Sequence, residues 1–167
     1  MTISTSFDLA QDMTTSPKAN IPASQIPAPE LAGAPFSMDW SDRFALGIEL
    51  IDQQHQVLFR LIDQLAKAIQ NETSESDLRA IFDKLREYTL THFAAEEHLM
   101  RQHAYPADKE HHENHRALEH SLLQLEVRAK NGEPLVSLQA MNFLRQWLYH
   151  HIDDVDRQFA NYLKTRV

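Results

Sequence analysis

The chain has 167 residues, enough for one ordinary domain with a sizeable core. Its net charge of −8 argues against a nucleic-acid partner, and no basic run flanks an apolar segment that could bind an anionic membrane. Without cysteine there are no disulfides and no cysteine-based zinc sites. Since neither a secretory signal nor a membrane-spanning run is found, we expect a cytoplasmic protein without membrane insertion.

Residues 1–35 differ in composition from the rest of the chain. They are rich in Ser and Thr, contain one basic residue, and hold five of the seven prolines: Pro17, Pro22, Pro27, Pro29 and Pro35. Such a composition cannot bury enough apolar surface to offset the entropy of ordering. We interpret this segment as a disordered arm, with a docking arm for a partner as the alternative. Residues 36–167 then form the folded domain.

Four amphipathic stretches follow, at about 48–69, 78–100, 111–125 and 144–159, each with apolar residues at steps of three and four. Ser74 or Ser76 is a suitable N-cap for the second stretch. Asn131-Gly132 is a C-terminal signal for the third, and Pro134 is a good first-turn residue for the fourth. Short links force neighbouring helices to be antiparallel. The sequence therefore predicts an all-α, up-down-up-down four-helix bundle.

Histidines and carboxylates interrupt the apolar stripe of every predicted helix. A charged or half-charged group in a core costs several kcal/mol, on the order of 3–5, unless it is paired or ligated. Neutral imidazole suits iron, zinc or copper, and a carboxylate can bridge two such ions. These groups predict a site for two metal ions, with the ligands His55, His92, Glu96, His111, His115, His151 and Asp156.

Spacing supports most of this set. His92 and Glu96 are four residues apart, as are His111 and His115, so each pair lies on one helix face. Glu97 lies off the stripe that holds Glu96. The remaining histidines fall on outward or loop positions, where we expect them to be solvated; they are His98, His103, His112, His120 and His150.

Asp156 does not fit a regular helix. It follows His151 by five residues, about 140° around an α-helix, whereas Asp154 at three residues would share the face of His151. Either the helix is locally widened, as at a π-bulge, or Asp156 reaches across the bundle. Spacing alone does not choose between these explanations.

A site built from these groups would have three imidazoles on one ion, two on the other, and two bridging carboxylates. With a solvent-derived bridge, two six-coordinate ions would keep one open position. Its predicted surroundings are apolar, with Leu148, Trp147, Phe59 and Phe93, which favours a small uncharged ligand. The sequence has no His-Glu-x-x-His and no Glu-x-x-His, which excludes a zinc-protease motif and a ferritin-like carboxylate-rich di-iron set.

From about Met38 to Leu163 the chain resembles the hemerythrins, in particular the single-domain bacterial ones. Four segments carry the resemblance, in the family's order. Trp40, Gly47-Ile48 and Ile51-Asp52-Gln53-Gln54-His55 form the first, and His92-Phe93-Ala94-Ala95-Glu96-Glu97 the second. Tyr105-Pro106 with His111 and His115 form the third, and Trp147-Leu148-Tyr149-His150-His151-Ile152 with Asp156 the fourth.

The resemblance implies two iron ions per chain, cycling between Fe2+ and Fe3+, with a bridging oxo or hydroxo group. His111, His115 and His151 would hold one iron, while His55 and His92 would hold the other, whose open position takes O2. Glu96 and Asp156 would bridge them, so the resemblance chooses Asp156 over Asp154. Leu148, beside Trp147, would line the O2 pocket, or would simply pack in the core.

Three functions compete for such a centre. The resemblance favours reversible O2 binding, for carriage, storage or sensing, and a protein that is not an enzyme. The alternatives are a di-iron enzyme acting on peroxide or NO or oxidising ferrous iron, and an iron- or zinc-homeostasis protein. A binding protein gives a reversible oxygenated form, an enzyme turns over, and a homeostasis protein exchanges its metal readily.

Overall fold

The computed structural model describes residues 38–136 and 138–166, and every regular element in these ranges is helical. Helices α1 (Glu49–Gln70), α2 (Glu75–Gln102) and α3 (Asp108–Lys130) are followed by α4 (Leu138–His150), a π-helical turn (His151–Asp156) and α5 (Arg157–Lys164). The last three form one continuous helix, because the backbone stays helical at His150 and Arg157. The predicted arm, residues 1–35, lies outside the described residues. No described helix combines the length and apolarity that crossing a membrane requires.

The helices form the predicted four-helix bundle. Helix α1 packs against α2 and α4, and α2 packs against α3. The links 71–74 and 103–107 are short, so consecutive helices run antiparallel. Each helix turns an apolar stripe toward a common core, in which Phe82, Leu85, Leu122 and Met141 are buried.

The predicted signals at helix ends are partly confirmed. Ser74 is the N-cap of α2, since its hydroxyl accepts the N–H of Asp77 at 3.3 Å. Gly132 follows the end of α3 with a φ of +88°, which glycine adopts without strain. The expected start near Pro134 is wrong, because α4 begins at Leu138. Pro134 belongs to the non-helical link before it, in which Leu135 and Val136 are buried.

The segment before α1 covers one side of the bundle. Trp40 packs edge-on against Phe59, and Phe44 stacks on Tyr149 of α4 with ring centroids 5.1 Å apart. The guanidinium group of Arg157 donates to the carbonyl of Arg43 at 2.7 Å. The segment is thereby attached to the residue that directly follows the π turn.

Candidate metal centre

The structure brings all seven predicted ligands together inside the bundle, where each has at most 2% of its surface exposed. His55 comes from α1, the pair His92 and Glu96 from α2, and the pair His111 and His115 from α3. The π turn supplies His151 and Asp156. Their nitrogen and oxygen atoms form two groups that could each hold an ion, and Glu96 belongs to both.

The first group, called here the three-histidine pocket, consists of Glu96, His111, His115 and His151. Nε2 of His115 lies 3.1 Å from Glu96 Oε2 and 3.2 Å from His151 Nε2. Nε2 of His111 lies 3.5 Å from the same Glu96 oxygen. Three imidazole nitrogens therefore converge around one carboxylate.

The second group, called here the two-histidine pocket, consists of His55, His92, Glu96 and Asp156. Nε2 of His55 lies 3.2 Å from Asp156 Oδ2, and Nε2 of His92 lies 3.6 Å from Glu96 Oε2. Asp156 also faces the other pocket, since its Oδ1 is 3.2 Å from His111 Nε2. Both carboxylates thus stand between the two pockets, where a bridging ligand would stand.

The π turn accounts for the position of Asp156. A π turn closes its hydrogen bonds between residues five apart, so it brings groups of that spacing to one side. Asp156 Oδ1 accordingly lies 3.1 Å from His151 Nε2. Asp154, which regular spacing favoured, is more than half exposed and pairs with His150 at 2.7 Å. The helix is therefore widened at this point, which is the first of the two explanations that the sequence left open.

Burial and neighbouring charges shift the pKa values of the groups in this cluster in opposite directions. Burial alone would lower the pKa of His111, but the adjacent Asp156 and Glu96 carboxylates raise it to about 9. For His92, burial outweighs the attraction of Glu96 and lowers the pKa to about 4. Burial would raise the pKa of Asp156, yet the surrounding His151, His111 and His55 rings hold it well below its ordinary value. The cluster is thus a concentration of acceptor atoms and competing charges.

Several atoms of the cluster lack a hydrogen bond of acceptable geometry with any described residue. They are Nε2 of His55, His92 and His111, Nδ1 of His55 and His111, Oε1 of Glu96 and both carboxylate oxygens of Asp156. Buried polar atoms of this kind cost on the order of 1–3 kcal/mol each when nothing satisfies them. The Nε2 atoms and the carboxylate oxygens converge and can each donate a lone pair, so bound cations would satisfy them together. The donor set of imidazole and carboxylate fits iron, zinc or copper.

Two further polar side chains contact the Nδ1 atoms of His92 and His115, on the side of each ring that faces away from the carboxylates of the cluster. The sequence alone did not predict these contacts. Nδ1 of His92 lies 3.1 Å from Gln54 Oε1, and Nδ1 of His115 lies 3.1 Å from Glu97 Oε1. Burial would raise the pKa of Glu97, but its hydrogen bonds to His115 and His112 keep it below the ordinary value. A ligating imidazole usually donates its other N–H to an acceptor. The acceptor side chains of Gln54 and Glu97, each next to a predicted ligand in the sequence, could therefore have indicated these contacts.

The other histidines mostly follow the prediction. His98, His103, His120 and His150 are exposed. His112 is different, because its Nδ1 lies 2.7 Å from Glu97 Oε1 although nearly half of the side chain is exposed. The expectation that His112 is simply solvated is therefore wrong.

An apolar cavity lies one helical turn from the cluster. Leu58, Thr89 and Leu148 line it, three residues from His55, His92 and His151 respectively. The rest of its lining is Ile62, Leu85, Phe93, Leu118, Leu122, Leu144 and Trp147. The Thr89 hydroxyl donates to the Leu85 carbonyl at 2.8 Å, so the lining offers a ligand little hydrogen bonding. Phe59, which we expected beside this pocket, instead packs against Trp40, Phe44 and Tyr149.

Two aromatic rings connect the cavity lining to the cluster. Phe93 stacks on the imidazole of His115, with centroids 3.7 Å apart and planes 7° apart. Trp147 stacks on His151 at 4.3 Å and 17°. The rings fix these two imidazoles from the side and keep the space next to them apolar.

Comparisons with known proteins point to one family. The model of the hemerythrin HHE cation binding domain matches residues 46–163. A bacteriohemerythrin of Stenotrophomonas maltophilia is 30% identical over 128 residues, which cover 77% of this chain and 82% of that protein. A bacteriohemerythrin of Pseudomonas aeruginosa is 30% identical over 122 residues, covering 73% and 78%. A crystal structure of wild-type hemerythrin superposes with a TM-score of 0.68 at 27% identity, covering 74% of this chain and 95% of that one. With the bundle, the buried cluster of histidines and carboxylates and a family match across most of its length, the chain belongs to the hemerythrin family.

Proposed function

We propose that the chain holds two iron ions in the buried cluster and binds O2 reversibly there. His111, His115 and His151 hold one ion, His55 and His92 hold the other, and Glu96 and Asp156 bridge the two. Iron supplies the redox chemistry of O2 binding. The relatives named bacteriohemerythrin support the assignment, as does the suitability of imidazole and carboxylate for iron.

The observation that carries the proposal is the apolar cavity beside the fully buried cluster. Leu58 and Leu148 face this cavity one turn from His55 and His151. A molecule that approaches the cluster through the cavity must therefore lose its hydration shell. An uncharged diatomic molecule loses little hydration on entering such a space, whereas a polar substrate would find few hydrogen-bonding partners. The cavity therefore favours O2 over a polar substrate.

The test is an absorption spectrum of the full-length chain, loaded anaerobically with ferrous iron. We expect a nearly colourless reduced form that gains a ligand-to-iron charge-transfer band in air and loses it on purging with argon. Zinc-loaded protein is the control, because zinc has no redox chemistry and should stay colourless in air. If air instead converts the protein directly to a stable ferric form, an enzymatic or metal-handling role replaces the proposal.

Replacing Leu148 with Ala should shorten the lifetime of the oxygenated protein. The shorter side chain enlarges the cavity one turn from His151 and admits water. The same change should lower the free energy of unfolding by about 2–5 kcal/mol, as for other buried leucines. The decay of the oxygen-dependent absorption band measures the first effect, and denaturant unfolding of the metal-free protein measures the second.

Leu65→Ala is the matched control, since Leu65 is fully buried but does not line the cavity. It should cost similar stability and leave the decay of the band unchanged. Equal decay in the two variants would show that Leu148 acts only through packing.

A further inference from the structure

Glu97 lies next to Glu96 in the sequence but points to the other side of the His115 ring. Its Oε1 is 3.1 Å from His115 Nδ1, while Glu96 Oε2 is 3.1 Å from Nε2 of the same ring. The side chain of Glu97 is 17% exposed, so it stands between the buried cluster and the surface. One imidazole is thus held between two carboxylates, one inside the cluster and one behind it.

Both ring nitrogens of His115 face a carboxylate at 3.1 Å, with Nδ1 toward Glu97 and Nε2 toward Glu96. When a metal ion in the three-histidine pocket takes the lone pair of Nε2, the one N–H that remains on the ring is at Nδ1. Because a carboxylate only accepts hydrogen bonds, Glu97 is placed to accept this N–H and to hold the ring with Nε2 toward His151 Nε2, 3.2 Å away.

The corresponding support for the two-histidine pocket is weaker. His92 donates to Gln54, whose amide oxygen carries no net charge. Nδ1 of His55 has no hydrogen-bond partner among the described residues, as is also true of His111 Nδ1 in the three-histidine pocket. A hydrogen bond to an anion is roughly twice as strong as one between neutral groups, and it makes the imidazole a more basic ligand. A hydrogen bond from Nδ1 of a histidine to an anionic side chain is therefore described for the three-histidine pocket, between His115 and Glu97, and not for the two-histidine pocket.

We propose that Glu97 is a positioning residue that makes the three-histidine pocket the tighter of the two, so that this pocket fills first. The inference rests on the proposed two-metal function and concerns the order and strength of metal uptake. It makes no use of O2 chemistry.

The test is an anaerobic titration of the full-length, metal-free chain with Co2+, followed by the ligand-field absorption bands. Wild-type protein should bind two Co2+ ions in two resolvable phases. Glu97→Ala should weaken the first phase by about 10- to 100-fold, the usual effect of removing such an outer partner, and leave the second phase unchanged. Glu97→Gln keeps an acceptor oxygen without the charge, so it should lose less than Glu97→Ala.

Two control variants assign the effect to the contact. Arg101→Gln removes a charged neighbour of Glu97 that lies 3.8 Å from its other carboxylate oxygen, and should leave both phases unchanged. Gln54→Ala removes the partner of His92 and should weaken only the second phase. Circular dichroism of the metal-free variants checks that each is folded. If Glu97→Ala does not fold, the isosteric Glu97→Gln decides the question.

Three outcomes would overturn the inference. Equal weakening of both phases would indicate a general structural effect of Glu97. An unchanged first phase in Glu97→Gln and Glu97→Ala would show that the contact contributes nothing to binding. A wild-type chain that binds fewer than two Co2+ ions would remove the proposed two-metal function as well. In the first two cases that function stands without the inference.

Discussion

Replacing Glu96 with Gln is expected to leave the chain unable to retain either metal ion. Among the described residues, Glu96 is the one shared by the two groups of potential ligands defined above. Its Oε2 lies within 3.6 Å of the Nε2 atoms of His92, His111 and His115. Two divalent ions in a fully buried site need anionic ligands to offset the loss of hydration. Without Glu96 only Asp156 remains to supply negative charge between them.

The measurement is metal content after anaerobic loading with iron, or aerobic loading with zinc, and desalting. Wild-type protein should retain two ions per chain, and Glu96→Gln well below one. Thermal unfolding with and without zinc separates loss of binding from loss of fold, since a ligand that binds only the native state raises its melting temperature. That increase should disappear in the variant. Glu113→Gln, an exposed change on α3, should behave as wild type, and a Glu96→Gln chain that retains two ions would refute the bridging assignment.

Replacing His151 with Ala should reduce the chain to one metal ion. His151 is a member of the three-histidine pocket only, and its ring fills the space between Trp147 and His111. The two-histidine pocket keeps all four of its own ligand groups. Metal analysis should therefore give about one ion per chain, in contrast to the complete loss expected for Glu96→Gln.

Added imidazole should rescue metal binding by His151→Ala. The truncated side chain leaves a space of the size of the lost ring beside Trp147, so free imidazole should restore the second ion. His150→Ala is the control, because His150 is exposed and pairs with Asp154 instead of the cluster. Retention of two ions by His151→Ala without imidazole would show that His151 is not a ligand.

The sequence predicted the helices and their order because their apolar stripes are long and regular. Local signals were reliable where one residue type is strongly preferred, as for Ser74 at the start of α2 and Gly132 after α3. Pro134 misled because proline suits both a loop and a first helical turn. Here it belongs to a link in which Leu135 and Val136 are buried, and that burial depends on tertiary contacts that helical periodicity does not describe.

For the site, the sequence predicted which helix faces meet in the cluster, but it did not predict the side chains that hydrogen-bond to His92 and His115. The four-residue spacing of the pairs on α2 and α3 follows from α-helical geometry and required no structure. The spacing of His151 and Asp156 did require one, because it depends on a local departure from that geometry. The contacts of Gln54 and Glu97 link different helices, so no pattern within one helix could reveal them.

The widened turn has a consequence for how the helix around it packs. A π turn is equivalent to an α-helix that has received one extra residue, so the helix on either side keeps its rotational phase. Phe159 and Ala160 in α5 therefore still face the core on the side of the bundle from which Leu144 and Leu148 reach it in α4. The irregular spacing of the last two predicted ligands, His151 and Asp156, is therefore confined to one turn and leaves the apolar faces of α4 and α5 on the same side of the bundle.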